Sequence, residues 1–213
     1  MTPVETTVFV VDDDTSVRTA LKRLIKSLGF KVETFDSAQA FLKHGPHDGP
    51  ECLILDVRMP GMGGIELQEQ LTRAGLHMPI IFITGHGNIP MSVKAIKAGA
   101  VDFIEKPFED QKLVDAINIA IKKNKKFRTE QAEIKDLQRR VDSLTPREHE
   151  VFILVVSGML NKQIAFDLGM SEKTVKVHRA RVMDKMKAKS LADLVRMAEK
   201  ADQINSTPTY YLA

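Results

Sequence analysis

A single cysteine, Cys52, stands among the 213 residues, which excludes an intrachain disulfide framework. No apolar run approaches the ~18 residues that a membrane-spanning helix needs, so no membrane partner is expected. The N-terminus, MTPVETT, has neither the basic n-region nor the long apolar h-region of a secretory signal. Together these absences point to a cytoplasmic protein. What is present is ordinary for a globular chain, 43% apolar and 28% charged, and the length suits one large domain or two small ones.

The net charge of +3 hides an asymmetry. Residues 1–120 carry 12 Lys/Arg against 16 Asp/Glu, and residues 121–213 carry 19 against 12. An acidic first half and a basic second half imply two domains with different partners. Basic surface by itself is more often a solvated face than a nucleic-acid site, so a motif has to decide.

In the first half, short apolar runs alternate with helical patterns. The segments TTVFVV (6–11), KVETF (31–35), ECLILD (51–56), PIIFIT (79–84) and VDFIEK (101–106) read as strands. Between them lie helical patterns. In the first, Val17, Leu21, Leu24, Ile25 and Leu28 share a face, with Gly29 as a stop; the others cover 37–44, 65–75 and 91–99, and a last helix starts near Glu109. This (βα)₅ alternation predicts a parallel sheet covered on both faces. Right-handed crossovers favour the flavodoxin-like order 2-1-3-4-5, with a ligand crevice beyond the carboxyl ends of strands 1 and 3.

That crevice explains VVDDD (10–14). Two of its carboxylates ~5 Å apart repel by about 3 kcal/mol at an effective dielectric near 20. Asp12 and Asp13 end strand 1, and Asp56 ends strand 3. Clustered carboxylates with no adjacent base call for a hard cation such as Mg²⁺, with Mn²⁺ as an alternative. A carboxylate can also act as a nucleophile and form an aspartyl-phosphate. Thr84 and Lys106 end strands 4 and 5, where a hydroxyl and an ammonium suit phosphoryl oxygens. An aspartate at a strand end is usually only a turn former; the pattern of Asp-Asp, Asp, Thr and Lys on one rim is harder to dismiss. Pro60 and Gly61 mark a turn beside Asp56. His86 in TGHG reads as a loop residue, with a ligand or base role left open.

From 109 to about 142 the pattern is helical. Ile134, Leu137, Val141 and Leu144 are spaced for either a short coiled-coil seam or a helix packed on its own domain. The rest is helical too. Thr145, Pro146 and Glu148 form an N-cap, N1 and capping-box set; Asn161 and Ser171 are expected to cap the next two helices, and 190–200 forms a fourth. A loose tail is expected beyond 200. The helix–Gly turn–helix of NKQIAFDLGMSEKTVKVHRARVMDKM has helix-turn-helix spacing, a shape that generic amphipathic pairs share. Its second helix carries Lys173, Lys176, His178, Arg179, Arg181, Lys185 and Lys187, with Val175, Val182 and Met186 available for the core, and such a helix can enter the major groove with its outer face.

The segments VVDDD, LILDVRMPGMGG, FITGHG and DFIEKPF resemble the receiver domain of two-component response regulators. The resemblance implies that Asp56 takes a phosphoryl group from a phosphohistidine on a sensor histidine kinase. It assigns the metal to Asp13, Asp56 and the Arg58 backbone carbonyl, with Asp12 acting through water, and leaves Asp14 to start the helix. It makes Thr84 the switch hydroxyl, Lys106 the phosphate's partner and Phe103 the aromatic that changes rotamer, and it implies a cis Lys106–Pro107 bond. LTPREHEVFILVVSGMLNKQIAFDLGMSEKTVKVHRARVMDKM in turn resembles the LuxR/NarL/FixJ-type DNA-binding domain. That places Lys176 and Val177 at base edges and Lys173, Thr174, His178, Arg179 and Arg181 nearer the DNA backbone. Ala180 stands where some relatives carry a base-reading lysine.

The expected organisation is α/β plus all-α: a receiver over 1–120, a helical linker over 121–142 that transmits the change, a four-helix output domain over 143–200 and a flexible tail over 201–213. The expected function is a phosphorylation-switched transcription regulator, an activator that is not an enzyme beyond its own phosphorylation and slow dephosphorylation. Its partners are a sensor kinase, a near-palindromic promoter site, RNA polymerase and, when phosphorylated, a second copy of itself. General likeness within the family points to an aromatic-compound catabolic operon. Two rivals stand beside this reading: a Mg²⁺-dependent phosphotransferase or phosphatase with an aspartate nucleophile, and a constitutive DNA binder whose receiver serves only oligomerisation.

Overall fold

In the computed structural model, residues 5–45, 47–85 and 89–206 are described, 202–206 by backbone alone. The start of the N-terminal segment, His86 and the residues beyond 206 lie outside that range. Two compact units divide within one helix, the first running to Arg128 and the second starting at Thr129.

The first unit follows the expected alternation. Strands β1 (Thr7–Val11), β2 (Lys31–Phe35), β3 (Glu51–Asp56), β4 (Ile80–Thr84) and β5 (Asp102–Glu105) form one parallel sheet in the order β2-β1-β3-β4-β5. The crossovers are α1 (Thr15–Ser27), α2 (Ala38–His44), α3 (Gly64–Arg73) and α4 (Ile89–Lys97), followed by α5 (Asp110–Asp142). Strand side chains alternate between faces, and each face has its own core. Val8, Val10, Cys52, Ile54, Ile81, Ile83 and Ile104 pack on Leu21 and Ile25 of α1 and on Leu113, Ile117 and Ile121 of α5. Phe9, Val11, Leu53, Leu55 and Phe82 pack on Phe41, Leu67, Leu71 and Ala95 of α2, α3 and α4. Each such buried side chain contributes about 1.5–3 kcal/mol. With both faces covered, the functional residues are confined to the carboxyl edge.

Helix α5 runs unbroken from Asp110 to Asp142, as the helical pattern from 109 to about 142 implies, so residues 121–142 continue the last receiver helix. Leu113, Ala116, Ile117, Ala120 and Ile121 seat its first part in the first unit, and Leu137, with Val141 and Leu144 beside it, seats its end in the core of the second. Leu137, Val141 and Leu144 are thus used for packing within the unit. The basic run KKNKKFR hides a buried residue: Asn124 is 2% exposed, its Oδ1 accepting from the Glu51 N–H at 3.1 Å.

The second unit adds α6 (Pro146–Val156), α7 (Asn161–Asp167), α8 (Glu172–Met186) and α9 (Leu191–Ser206). At α6 the expected capping box forms: Thr145 Oγ1 accepts from the Glu148 N–H, and Glu148 Oε2 from the Thr145 N–H. Glu148 also holds Lys185 Nζ of α8 at 2.6 Å, and Lys185 reaches the Ser143 carbonyl at 2.8 Å. These donors hold the Glu148 carboxyl down at about 2, the Lys185 ammonium first among them. Ser171 caps α8 as expected. Asn161 does not cap α7; Leu160 occupies the cap, and its N–H donates to Gln163 Oε1, which frees the Asn161 side chain for another contact. The turn between α7 and α8 uses Gly169 at φ +63°, a left-handed conformation that glycine adopts without a Cβ penalty. Helix α9 runs through Ser206 where a loose tail from 201 was expected; Ala198 and Ala201 are buried in the unit's core and carry the helix past that point.

Candidate functional site

The carboxyl edge of the sheet gathers the predicted acidic residues. Successive residues of an extended chain point to opposite sides, so Asp12 is fully buried while Asp13 is exposed. Asp56, ending β3, is 8% exposed. Asp12, Asp13 and Asp56 each offer an oxygen, and these oxygens lie within 4.8 Å of one another. An all-oxygen set at that spacing is an acidic pocket suited to a hard divalent cation.

Both oxygens of Asp12 are engaged by the protein. Oδ1 accepts from the Asp14 N–H at 2.8 Å and Oδ2 from Lys106 Nζ at 2.8 Å. Lys106 Nζ also stands 3.6 Å from Asp56 Oδ2, so one ammonium spans two carboxylates. Burial pushes the Asp56 carboxyl above the usual carboxylate range; Lys106 pulls it down and Asp12 pushes it up again. Asp14 starts the helix: its Oδ1 accepts from the Ser16 and Val17 N–H groups and from the Ser16 hydroxyl. These bonds, with the Ser16 hydroxyl foremost, lower its carboxyl.

Two features of this pocket were missed from sequence. Arg18 Nη1 donates to the carbonyls of Asp12 and Asp13, at 2.7 and 2.9 Å, tying the acidic loop to α1. The spacing of an arginine one turn into the helix carried no clear signal. Gly64 is the second. A Cβ there would lie 2.2 Å from the Asp56 carbonyl oxygen, so α3 starts against the backbone of Asp56 only because residue 64 has no side chain. The glycine pair in PGMGG was the available signal.

The other rim residues fall where the sequence places them. Arg58 is exposed, and its N–H donates weakly to Asp56 Oδ1 at 3.4 Å. Thr84 is 1% exposed at the end of β4, and its carbonyl accepts from the Lys106 N–H at 2.8 Å. Phe103 is half-buried on β5, registered with Phe82 and 6.1 Å from it, centroid to centroid. Thr84 lies two residues beyond Phe82, so Thr84 and Phe103 share one face of the sheet. The Lys106–Pro107 bond is cis.

The second unit presents the basic helix α8. Val175, Val182 and Met186 are buried. Lys173, Thr174, Lys176, Val177 and Arg181 are exposed, while His178 and Arg179 are half-buried. The seven predicted contacts therefore divide. Lys173 and Val177 share the outermost line with Ala180 and Asp184, Lys176 flanks it on one side, and Thr174 and Arg181 flank it on the other. His178 and Arg179 border the core, and the Nδ1 atom of His178 is buried without a hydrogen-bond partner. Arg179 meets Asn161 of α7, a contact that sequence reading missed because Asn161 was assigned to the cap.

The response regulator receiver domain family matches residues 8–118, and the luxR family of bacterial regulatory proteins matches residues 142–198. Nodulation protein W of Bradyrhizobium diazoefficiens is 50% identical over 192 residues, spanning 90% of this chain and 85% of that protein. The response regulator protein TodT of Pseudomonas putida is 49% identical over 193 residues, spanning 91% and 85%. Among solved structures, the response regulator StyR is 52% identical with a TM-score of 0.86, covering 92% of this chain and 99% of that one.

Proposed function

The chain belongs to the two-component response regulators that join a receiver to a LuxR-type DNA-binding domain and control transcription, and on that premise we propose that Asp56 is the phosphoacceptor whose modification switches DNA binding. The observation that carries this is the convergence of Asp12, Asp13 and Asp56 within 4.8 Å, with Lys106 reaching two of them.

A carboxylate oxygen of Asp56 attacks phosphorus, the P–N bond to the kinase histidine breaks, and the electron pair leaves on imidazole, which takes up a proton. Asp13, Asp56 and the Arg58 carbonyl would hold Mg²⁺, with Mn²⁺ as an alternative and Asp12 reached through water. The two protein donors already on Asp12 support that indirect role. The ion would neutralise charge developing on the phosphoryl oxygens. Lys106 moves from Asp12 and Asp56 toward the new phosphoryl group, which adds about −1.5 to −2 charges. Thr84 turns its hydroxyl to a phosphoryl oxygen, and Phe103, on the same sheet face, moves into the space vacated.

The output follows from α4, which leaves Ile89, Val93 and Ile96 exposed, an apolar row suited to a phosphorylation-dependent homodimer. Two copies would read a near-palindromic promoter site through Lys173, Thr174, Lys176, Val177, His178, Arg179 and Arg181, and recruit RNA polymerase as an activator in the cytoplasm. The domains are assigned as a receiver over 1–120, a helical connector over 121–142 and the output domain over 143–200. The regulated genes are assigned to aromatic-compound catabolism on general likeness of sequence.

The test compares wild type with Asp56→Asn, each with and without acetyl phosphate and Mg²⁺, for binding to a promoter duplex selected from a random pool. Tighter binding by treated wild type alone supports the switch. Equal affinity in all four states would favour a constitutive DNA binder with a receiver used only for oligomerisation.

A further inference from the structure

Arg179 occupies a half-inward place on a DNA-facing helix. The buried Val175, Val182 and Met186 define the inner stripe of α8, and position 179, four after Val175 and three before Val182, borders that stripe. Its half-buried side chain ends in a single described contact, across to α7. Nη1 donates to Oδ1 of Asn161, the first residue of α7, at 3.0 Å.

The chemistry of that acceptor matters. Among the described residues, Arg179 has no carboxylate within ion-pair distance, whereas nearby Lys176 meets Glu172 and Lys185 meets Glu148. A bond serving only to fasten α7 to α8 would be stronger with a carboxylate, because charge-assisted pairs exceed neutral ones. A neutral amide fixes the direction of the guanidinium and leaves its charge whole. Guanidinium has five N–H donors, so the bond to Asn161 leaves others for an incoming anion. Ordering the long side chain beforehand also removes rotamer freedom that binding would otherwise have to freeze.

We propose that Asn161 is a positioning residue: it presents the guanidinium of Arg179, preset and not neutralised, to a DNA phosphate. The proposal rests on the DNA-binding role of α8 and adds to it a residue from the preceding helix that makes no base contact.

The experiment measures binding of the full chain, treated with acetyl phosphate and Mg²⁺, to a mixed-sequence duplex across a salt series. Arg179→Ala is expected to bind roughly ten-fold more weakly, with the slope of log affinity against log salt shallower by about 0.9, one phosphate contact. Asn161→Ala should lose part of the same affinity and slope, and Asn161→Ala combined with Arg179→Ala should be no weaker than Arg179→Ala alone. Asn161→Asp separates positioning from fastening. It keeps or strengthens the link between helices, checked by thermal unfolding, yet should weaken DNA binding about as much as Arg179→Ala because the charge is consumed. Wild-type affinity and slope in Asn161→Asp, or additive losses in the double variant, would overturn the proposal. Absence of salt-dependent binding by wild type would instead overturn the DNA-binding reading, and this proposal with it.

Discussion

Lys106 Nζ stands 2.8 Å from Oδ2 of Asp12, a residue with no exposed surface, while reaching Asp56 at 3.6 Å. A buried carboxylate without a counter-charge is among the more expensive features a fold can carry. The lysine thus has a structural role before any chemistry begins. Lys106→Met should destabilise the first unit by about 3–5 kcal/mol in EDTA. Added Mg²⁺ should raise the melting temperature of the variant more than that of wild type, because the ion replaces the lost charge. Equal Mg²⁺ responses in the two proteins would contradict this account.

Gly64 sets the floor of the same pocket. With a Cβ placed 2.2 Å from the Asp56 carbonyl oxygen, Gly64→Ala has to push α3 away from β3. The expected outcome is a loss of about 1–3 kcal/mol of stability, the range for overpacked sites, together with slower labelling by acetyl phosphate. Thermal unfolding and a phosphoprotein gel check the two arms. Gly64 has no left-handed φ, so the loss reports the close approach to the Asp56 carbonyl and not backbone strain.

Glu51 begins β3 at the opposite end of the sheet, with Oε2 buried and unpartnered. Burial pushes its carboxyl up to about 7, with Arg128 pulling the other way. The folded state therefore keeps a proton that the unfolded chain releases near its ordinary value of 4.5. By linkage, stability falls as pH rises from about 4.5 through about 7 and levels off above it. Glu51→Gln should flatten that slope and stabilise the protein at pH about 8 by on the order of 1 kcal/mol. Denaturant midpoints measured across this range decide the matter; an unchanged slope refutes it.

Glu148 behaves in the opposite sense. Its carboxyl is held at about 2, below the ordinary 4.5, chiefly by Lys185. Its contribution is complete above about 4.5 and is lost as pH falls toward about 2. Glu148→Gln should lower the melting temperature of the second unit at neutral pH and remove part of its acid sensitivity. Circular dichroism melts at neutral and acid pH test both effects.

The parts legible in sequence were those written in local pattern. Alternating apolar runs gave the strands within a residue or two, and Asp12, Asp13, Asp56, Thr84 and Lys106 could be placed on one rim because each ends a strand. The residues missed are those whose meaning depends on a distant partner. Asn124 sits inside a run of lysines and arginine, and nothing local says that it turns inward to the backbone of Glu51. Arg18 and Asn161 act through hydrogen bonds to other elements. The end of α9 was set too early because a polar tail reads as frayed unless one knows that Ala198 and Ala201 meet a core.

The position of Leu137 bears on how such chains could be recombined. This residue belongs to α5 by sequence but to the C-terminal core by packing. A crossover placed in the loop just before Thr145 would leave Leu137 behind, opening a void worth about 2–5 kcal/mol in the module it exports. The natural seam for exchanging effector modules therefore lies upstream, within the helix near Thr129, where a join needs only to preserve helical phase.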